Sequence, residues 1–263
     1  MIAATVSSWT SKRISAKLNC DAHSPACRSS ALHAASLHSQ GRALKTLYVV
    51  THPQSRHHVA GLVGGWYDSG LTNLGLSQAA SIAQRIRELL PEDAPAEIYS
   101  SDLQRAYQTA EAIAQRIRAP IQSTADLREK SYGDAEGKPQ SWLAERFVYP
   151  PRIGNRMDHR EGIPGAENKR EFAERIYRAM DRILTSPGPY QIVVTHGFAL
   201  TFVVAAWTKM PLDAAGYINV KSTSGGISRL FEDDVFSNRV IVSLNDTSHL
   251  DRAELRIATS PAP

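Results

Sequence analysis

Two histidines in this sequence each follow directly on a short apolar run. The run at 47–50 leads into Thr-His-Pro, which contains His52, and the run at 192–194 leads into Thr-His-Gly, which contains His196. Each run favours a buried strand that ends at its histidine. Ligands of open α/β sheets bind outside the carboxyl ends of the strands. A single histidine at such a place is usually structural, whereas two on matching strand ends indicate a functional site.

An arginine and a glutamate could complete this site. Arg105 falls in the first turn of a predicted helix that follows the strand at 96–100, so a helix N-terminus and a guanidinium could favour one anion together. Glu129 lies in a loop further along the chain. Two histidines and a carboxylate could bind a metal ion, but Arg105 would repel a cation. A phosphoryl group suits the set better.

These residue types could carry out phosphoryl transfer. One imidazole could attack phosphorus as a nucleophile and form a phosphohistidine, while the other, protonated, would stabilise the equatorial oxygens. A carboxyl group such as that of Glu129 could protonate the leaving alcohol and later activate a water molecule.

The elements that must position these residues alternate between strands and helices. This alternation predicts an α/β fold, a three-layer sandwich with a mostly parallel central sheet flanked by helices. Thr72 is the expected N-cap of the first long helix, and Ser101 and Asp102 are expected to cap the second. Residues 139–165 are irregular and predict an excursion over the sheet. The other predicted elements are helices at about 169–184 and 198–207 and a hairpin of strands near 226–231 and 239–244.

Charge is distributed unevenly along the 263 residues. Residues 1–46 contain six Lys or Arg and one acidic residue, whereas the remainder contains 24 basic and 25 acidic residues. The remainder therefore has no polyanion-binding signature, and we expect no nucleic-acid partner. No apolar run approaches the ~20 residues that span a bilayer, so we expect no membrane partner either.

Composition divides the chain into three regions. Residues 1–45 are rich in Ser and Ala and poor in acidic residues, and we expect a disordered or targeting extension there. Residues 46–251 form the predicted domain, and 252–263 a C-terminal tail. Both cysteines, Cys20 and Cys27, lie in the extension, so no disulfide framework holds the domain. We expect a cytoplasmic protein, or an organellar one if the extension is a transit peptide; the sequence leaves the oligomeric state open.

The motif around the first histidine resembles the Arg-His-Gly-[Glu/Gln]-[Thr/Ser] signature of the histidine phosphatase superfamily, the phosphoglycerate-mutase-like enzymes of the branch 1 type. Here it reads Thr51-His52-Pro53-Gln54-Ser55. The likeness extends from about residue 46 to 250, with further blocks in the family's order. These blocks are Ser100-Ser101-Asp102-Leu103-Gln104-Arg105-Ala106, Leu127 with Glu129, Gly133 and Glu136-Gly137, Pro164-Gly165-Ala166-Glu167, Thr195-His196-Gly197, and Leu244-Asn245-Asp246.

The resemblance implies a metal-independent phosphomonoesterase that needs no cofactor and acts on a small phosphorylated metabolite. It makes His52 the nucleophile, Arg105 a phosphate ligand, Glu129 the proton donor and His196 the second imidazole of the phosphate site. A mutase is less expected, because residues 139–163 show no obvious set of lysines and arginines to hold a bisphosphate. The other positions assigned to substrate binding are Thr51, Gln54, Ser55, Arg56 and the backbone N–H groups of Gly197 and Phe198.

The sequence departs from the family signature at two positions. Thr51 stands where the family has an Arg that contacts the phosphate, and Pro53 replaces a Gly and removes a backbone N–H donor. Loss of one charge-assisted contact would cost about 2–4 kcal/mol of transition-state stabilisation, or about 30- to 1000-fold in rate. We expect Arg56 to replace part of the missing guanidinium.

Two other functions stay open at this point. The departures at Thr51 and Pro53 motivate the second hypothesis, a catalytically lapsed relative that binds phosphorylated ligands or a partner protein. The two histidines and the glutamate leave a metal-dependent hydrolase as the third hypothesis.

Overall fold

A six-stranded sheet forms the centre of the fold in the computed structural model, which describes residues 44–250. The strands are β1 (Thr46–Thr51), β2 (Ala96–Ser101), β3 (Ile121–Thr124), β4 (Tyr190–Thr195), β5 (Ile227–Glu232) and β6 (Arg239–Asp246). They lie side by side in the order β3-β2-β4-β1-β5-β6. Strands β1 to β4 are mutually parallel, and β5 runs antiparallel to both of its neighbours.

Helices connect the strands and cover both faces of the sheet, so the predicted three-layer α/β fold is confirmed. They are α1 (Arg56–Val59), α2 (Asn73–Leu89), α3 (Gln104–Ile117), α4 (Gln140–Ala144), α5 (Lys169–Thr185) and α6 (Ala199–Trp207), with 3₁₀ turns at Ala125–Leu127, Gly133–Ala135, Leu212–Tyr217 and Ser248–Leu250. Residues 139–165, expected to be irregular, contain only the short helix α4.

Strand β1 separates two apolar cores because successive side chains point to opposite faces of a sheet. Leu47 and Val49 enter the core that α5 and α6 cover, together with Phe172, Ile176, Val193 and Phe202. Tyr48 and Val50 enter the core that α2 and α3 cover, together with Ile82, Ile98, Ile113 and Val194. These four apolar side chains of β1 are at most 1% exposed, so packing on both faces of the sheet fixes the strand.

The expected helix start at Thr72 is present, because the Thr72 side chain accepts a hydrogen bond from the amide of Gly75 at 3.0 Å. The expected cap of α3 by Ser101 and Asp102 is wrong, because Leu103 is the N-cap residue and forms no side-chain cap there. The carboxylate that accepts from the first helical amide, that of Gln104, belongs to Asp68, at 2.7 Å. Asp102 instead accepts two hydrogen bonds from the guanidinium of Arg128.

The predicted extension 1–45 overlaps the described residues only at its end. There Lys45 is buried, and its ammonium donates to the carbonyls of Ser186 and Gly188. Residues 1–43 and the predicted tail 252–263 lie outside the described residues. Within 44–250, no helix is both long enough and apolar enough to span a membrane.

Gly75 in α2 allows a close approach of the chain that follows the first histidine. A Cβ added at Gly75 would lie 2.0 Å from the carbonyl oxygen of Gln54, a backbone atom that cannot easily move. We therefore predict that Gly75→Ala lowers the free energy of unfolding by about 2–3 kcal/mol, measured by urea denaturation. Ser77→Ala, at an exposed position of the same helix, is the control and should change stability by less than about 0.5 kcal/mol. Similar stabilities for both variants would contradict the prediction.

Candidate active site

Parallel pairing of β1 with β4 brings the two histidines together. The register places Thr51 opposite Thr195, and the amide of His52 continues the ladder by donating to the carbonyl of Thr195 at 3.1 Å. The imidazoles of His52 and His196 therefore lie side by side, with ring centroids 5.1 Å apart and planes at 67°. Both side chains are buried.

The ring of His52 is oriented by its own neighbour in sequence. Its Nδ1 lies 2.9 Å from the carbonyl oxygen of Pro53, a contact that requires the proton on Nδ1. Nε2 is then the basic nitrogen, and Arg105 Nε donates to it at 3.3 Å. Burial, followed by the positive charge of Arg105, lowers the pKa of His52 well below its usual value. The imidazole is therefore neutral at neutral pH, with the lone pair of Nε2 directed at the guanidinium.

Arg105 joins this histidine to the loop before α2. Its Nη1 donates to the carbonyl of Tyr67 at 2.9 Å and its Nη2 to that of Gly65 at 2.6 Å, and the side chain is 1% exposed. Burial lowers the pKa of Arg105 to about 10, and the nearby carboxylates of Glu129, Asp68 and Glu136 oppose this shift. The guanidinium stays charged at neutral pH, and the donors that it directs at two backbone carbonyls fix its plane.

His196 keeps one ring nitrogen available. Its Nε2 lies 2.8 Å from the hydroxyl oxygen of Ser101 at the end of β2. Its Nδ1 is buried and has no hydrogen-bond partner among residues 44–250. Burial, followed by the charge of Arg105, also lowers the pKa of His196 well below its usual value. An anion that bound beside His52 could satisfy this nitrogen and favour its protonation.

The carboxyl group of Glu129 is held by two backbone amides. Oε1 accepts from the amide of Lys130 and Oε2 from that of Phe198, each at 2.9 Å. Burial raises the pKa of Glu129, while these two amides and Arg105 act in the opposite direction. The amide of Phe198, which the sequence assigned to substrate binding, thus donates to the carboxyl group of Glu129. A Cβ at Gly197 would lie 2.6 Å from Ser222 Oγ, so only glycine fits there without a shift.

The other predicted substrate-binding residues lie around β1 with different partners. Thr51 is buried, and its hydroxyl donates to the carbonyl of Thr223 at 2.7 Å. Gln54 binds the start of α2, since its side-chain oxygen accepts from the hydroxyl of Thr72 at 2.7 Å. Ser55 is buried, and its hydroxyl lies 3.1 Å from His57 Nδ1.

The structure places Arg56 at the surface and does not bring its side chain into contact with the site. Arg56 is exposed at the start of α1, and its amide nitrogen donates to the carbonyl of Gly70. No hydrogen bond or ion pair within residues 44–250 links its side chain to His52, His196 or Arg105. The physical reason is that α1 begins at this residue and directs the next position inward, which buries His57.

Two histidines to which the sequence analysis gave no role lie beside His52. The ring of His58 is stacked on that of His52, with centroids 5.4 Å apart and planes at 19°, and the ring of His57 lies 6.3 Å away. His57 Nδ1 also lies 2.7 Å from Ser69 Oγ. His57 and His58 directly follow the signature in sequence. Only the position of α1 shows that the chain turns back there and brings both rings towards the end of β1.

Arg175 is the second residue near the site that sequence reasoning missed. It lies in α5, far from Glu129 in sequence, yet it donates to the backbone carbonyl of Glu129 at 2.7 Å. Arg175 also forms an ion pair with Glu167 at 2.7 Å. The two residues are eight positions apart in sequence, and this separation was the one signal that the sequence offered. Within residues 44–250, no group of three or more His, Cys, Asp or Glu side chains is arranged to hold a metal ion.

Burial of His57 predicts a loss of stability in acid. Burial, then the charges of His58 and Arg105, lower the pKa of His57 to about 3. An unfolded histidine titrates near pH 6.5, so below about pH 6.5 the unfolded state binds one more proton and stability falls by about 1.4 kcal/mol per pH unit. As the pH falls from about 6 to 4.5, the free energy of unfolding of His57→Gln should therefore decrease less steeply than that of the wild type. The difference in slope should be about 1.4 kcal/mol per pH unit.

Urea denaturation across this pH range measures the difference between the two slopes. Above about pH 7 histidine is neutral in both states, so the slopes should then coincide, which serves as the internal control. Equal slopes in acid would contradict the prediction.

Comparison with known proteins agrees with this geometry. The family model of the histidine phosphatase superfamily (branch 1) matches residues 47–246. The probable phosphoglycerate mutase GpmB of Yersinia pestis (strain Pestoides F) is 31% identical over 214 residues, which make up 80% of this chain and 96% of that relative.

Solved structures of two phosphatases share the fold. A mycobacterial glucosyl-3-phosphoglycerate phosphatase in complex with VO3 superposes with a TM-score of 0.63 at 22% identity, over 77% of this chain and 100% of that one. The alpha-ribazole phosphatase of Shigella flexneri superposes with a TM-score of 0.61 at 22% identity, over 76% and 96%. The span of the family match and the identity to the mutase-like relative together show that the chain belongs to the histidine phosphatase superfamily.

Proposed function

We propose that the protein hydrolyses a small phosphomonoester through a phosphohistidine on His52. The observation that carries the proposal is the orientation of His52, whose Nδ1 contacts a carbonyl oxygen while Nε2 faces the guanidinium of Arg105. A buried neutral imidazole that carries its lone pair on Nε2 is a competent nucleophile. The charge of Arg105 would hold the phosphoryl oxygens next to it.

The first step transfers the phosphoryl group to the enzyme. Nε2 of His52 forms a bond to phosphorus as the bond from phosphorus to the ester oxygen breaks, and Glu129 gives its proton to that oxygen. Arg105 and the protonated ring of His196 stabilise the charge on the equatorial oxygens. Burial raises the pKa of Glu129, and this direction supports the assignment because a raised pKa makes a carboxyl group a better holder of the proton that it donates.

The second step returns the enzyme to its starting state. Glu129, now a carboxylate, takes a proton from a water molecule that attacks phosphorus. The bond between Nε2 and phosphorus breaks, and inorganic phosphate leaves. Every group involved belongs to the chain or the substrate, so the proposed cycle uses neither a metal ion nor an organic cofactor.

The relatives support phosphoester chemistry on a small metabolite. Glucosyl-3-phosphoglycerate and alpha-ribazole phosphate esters are named for the two phosphatases, and phosphoglycerate for the mutase-like relative. We propose hydrolysis rather than transfer within one substrate, since two of the four arginines in residues 139–163, Arg146 and Arg160, form ion pairs with Glu145 and Glu171. Release of inorganic phosphate from the phosphorylated enzyme, rather than transfer to the dephosphorylated product, would support this choice.

Trapping of the intermediate tests the proposal. Incubation with a ³²P-labelled phosphomonoester, followed by an alkaline detergent quench, should leave label on the protein that is stable to base and lost in acid. His52→Ala should carry no label and should lose at least about 10⁴-fold in kcat. His159→Ala is the matched control, since the ring of His159 contacts the carbonyl of Val148, which has no role in the proposed cycle. Absence of label on the wild-type protein during turnover would contradict the mechanism.

One observation favours a second candidate function, a lapsed relative that binds phosphorylated ligands without turnover. The hydroxyl of Thr51 donates to Thr223, so it offers no proton to a phosphoryl oxygen, and Pro53 has no N–H to offer. In this case inorganic phosphate would raise the melting temperature but no ester would be hydrolysed. Thr51→Arg should then raise kcat/KM by about 30- to 1000-fold from the background level. Clear hydrolysis by the wild-type protein would dismiss this candidate.

A further inference from the structure

The guanidinium of Arg175 binds the backbone of the loop that carries Glu129. It reaches this loop from α5, with its side chain 7% exposed. Nη1 donates to the carbonyls of Asp126 and Arg128 at 3.1 and 2.6 Å, and Nη2 donates to the carbonyl of Glu129 at 2.7 Å. Nε and Nη2 also donate to the carboxylate of Glu167 at 2.7 and 2.8 Å.

These contacts use the full donor capacity of the side chain. A guanidinium has five N–H groups in a planar fork, and Arg175 has five acceptors at hydrogen-bond distance. A lysine at this position could offer at most three donors from one point and could not bind a carboxylate and three carbonyls together. The same Glu167 carboxylate accepts from the amide of Ser131 at 2.8 Å, so the pair contacts both sides of Glu129.

Glu129 itself is held at both its backbone and its carboxyl group. Its carbonyl accepts from Arg175 and from Trp66 Nε1 at 2.8 Å, which uses both lone pairs of that oxygen. Its carboxyl oxygens accept from the amides of Lys130 and Phe198, the second of which lies two residues after His196. The distance from this carboxyl to the imidazoles therefore depends on where the backbone of the loop is fixed.

We propose that Arg175 and Glu167 form a positioning pair that holds the carboxyl of Glu129 against the oxygen of the departing alcohol. This inference rests on the proposed function. Neither residue touches the reacting atoms, and both act through the peptide groups at 126–131. Arg175 is buried and its charge is paired with that of Glu167, so the pair holds this backbone as one unit. Displacement of a catalytic group by about 1 Å can cost about 100-fold in rate.

Dependence on the leaving group separates this role from a general structural one. Protonation by Glu129 matters for a poor leaving group such as glycerol and hardly matters for p-nitrophenolate, which leaves without a proton. The ratio kcat/KM reports events up to transfer of the phosphoryl group to His52, so it isolates this step. We expect Arg175→Lys to lower kcat/KM about 100-fold for glycerol phosphate and less than about 5-fold for p-nitrophenyl phosphate. Glu167→Gln should show the same selectivity, with a loss of about 10-fold for glycerol phosphate.

The matched control is Arg170→Lys in the same helix. Arg170 also makes a two-pronged contact with a carboxylate, that of Asp158, at 2.5 and 3.2 Å, but it donates to no carbonyl of the Glu129 loop. Its kcat/KM should change less than about 3-fold for both esters. If Arg175→Lys does not fold, as judged by its circular dichroism, Glu167→Gln decides the question alone.

The outcomes separate this inference from the proposed function. Equal losses for the two esters in the Arg175 and Glu167 variants, or no loss in either, would overturn the positioning role while the wild-type protein still hydrolyses phosphate esters. If the wild-type protein hydrolyses neither ester nor any other phosphomonoester, the proposed function fails and the positioning role fails with it.

Discussion

The parallel register between β1 and β4 is the constraint on which the candidate site depends. It sets Thr51 against Thr195 and therefore places His52 next to His196. A slip of one residue would reverse every side chain of β1. Leu47 and Val49 would then exchange cores with Tyr48 and Val50, although each pair packs against different helices. Burial of four apolar side chains thus fixes the geometry of two imidazoles at the strand ends.

The charges in the site follow from the burial of these two imidazoles beside Arg105. Burial and the charge of Arg105 keep the rings of His52 and His196 neutral, so in the unliganded protein the positive charge beside these rings comes chiefly from one guanidinium. Glu129, Asp68 and Glu136 partly balance that charge. A phosphoryl dianion would reverse the balance by favouring protonation of His196. In the proposed function, that proton would supply a second positive charge beside the phosphoryl group.

Much of this architecture could be predicted from the sequence. The apolar runs before the two histidines, the N-cap at Thr72 and the apolar helix at 198–207 are local patterns, and the structure has the corresponding elements. The cap assigned to Asp102 failed because the competing carboxylate, Asp68, comes from a loop 36 residues before Gln104, whose amide donates to it. Local patterns do not contain such long-range partners.

The same limit applies to the site. Arg56 was expected beside the phosphate from sequence proximity alone, whereas the turn into α1 leaves it exposed and buries His57. Arg175 had no signal near Glu129 in sequence, since their contact joins α5 to a loop 46 residues earlier. Residue types with a role in chemistry can be read from motifs, but the residues that hold them in place are found only through packing.

A crystal structure with vanadate would show whether His52 is the nucleophile, because vanadate adopts the five-coordinate geometry of phosphoryl transfer. We expect vanadium bonded to Nε2 of His52 at one apex. Equatorial oxygens should lie within hydrogen-bond distance of Arg105 and His196, and the carboxyl of Glu129 should face the opposite apical oxygen. Vanadate bound elsewhere, or bound in the site without a bond to His52, would contradict the account.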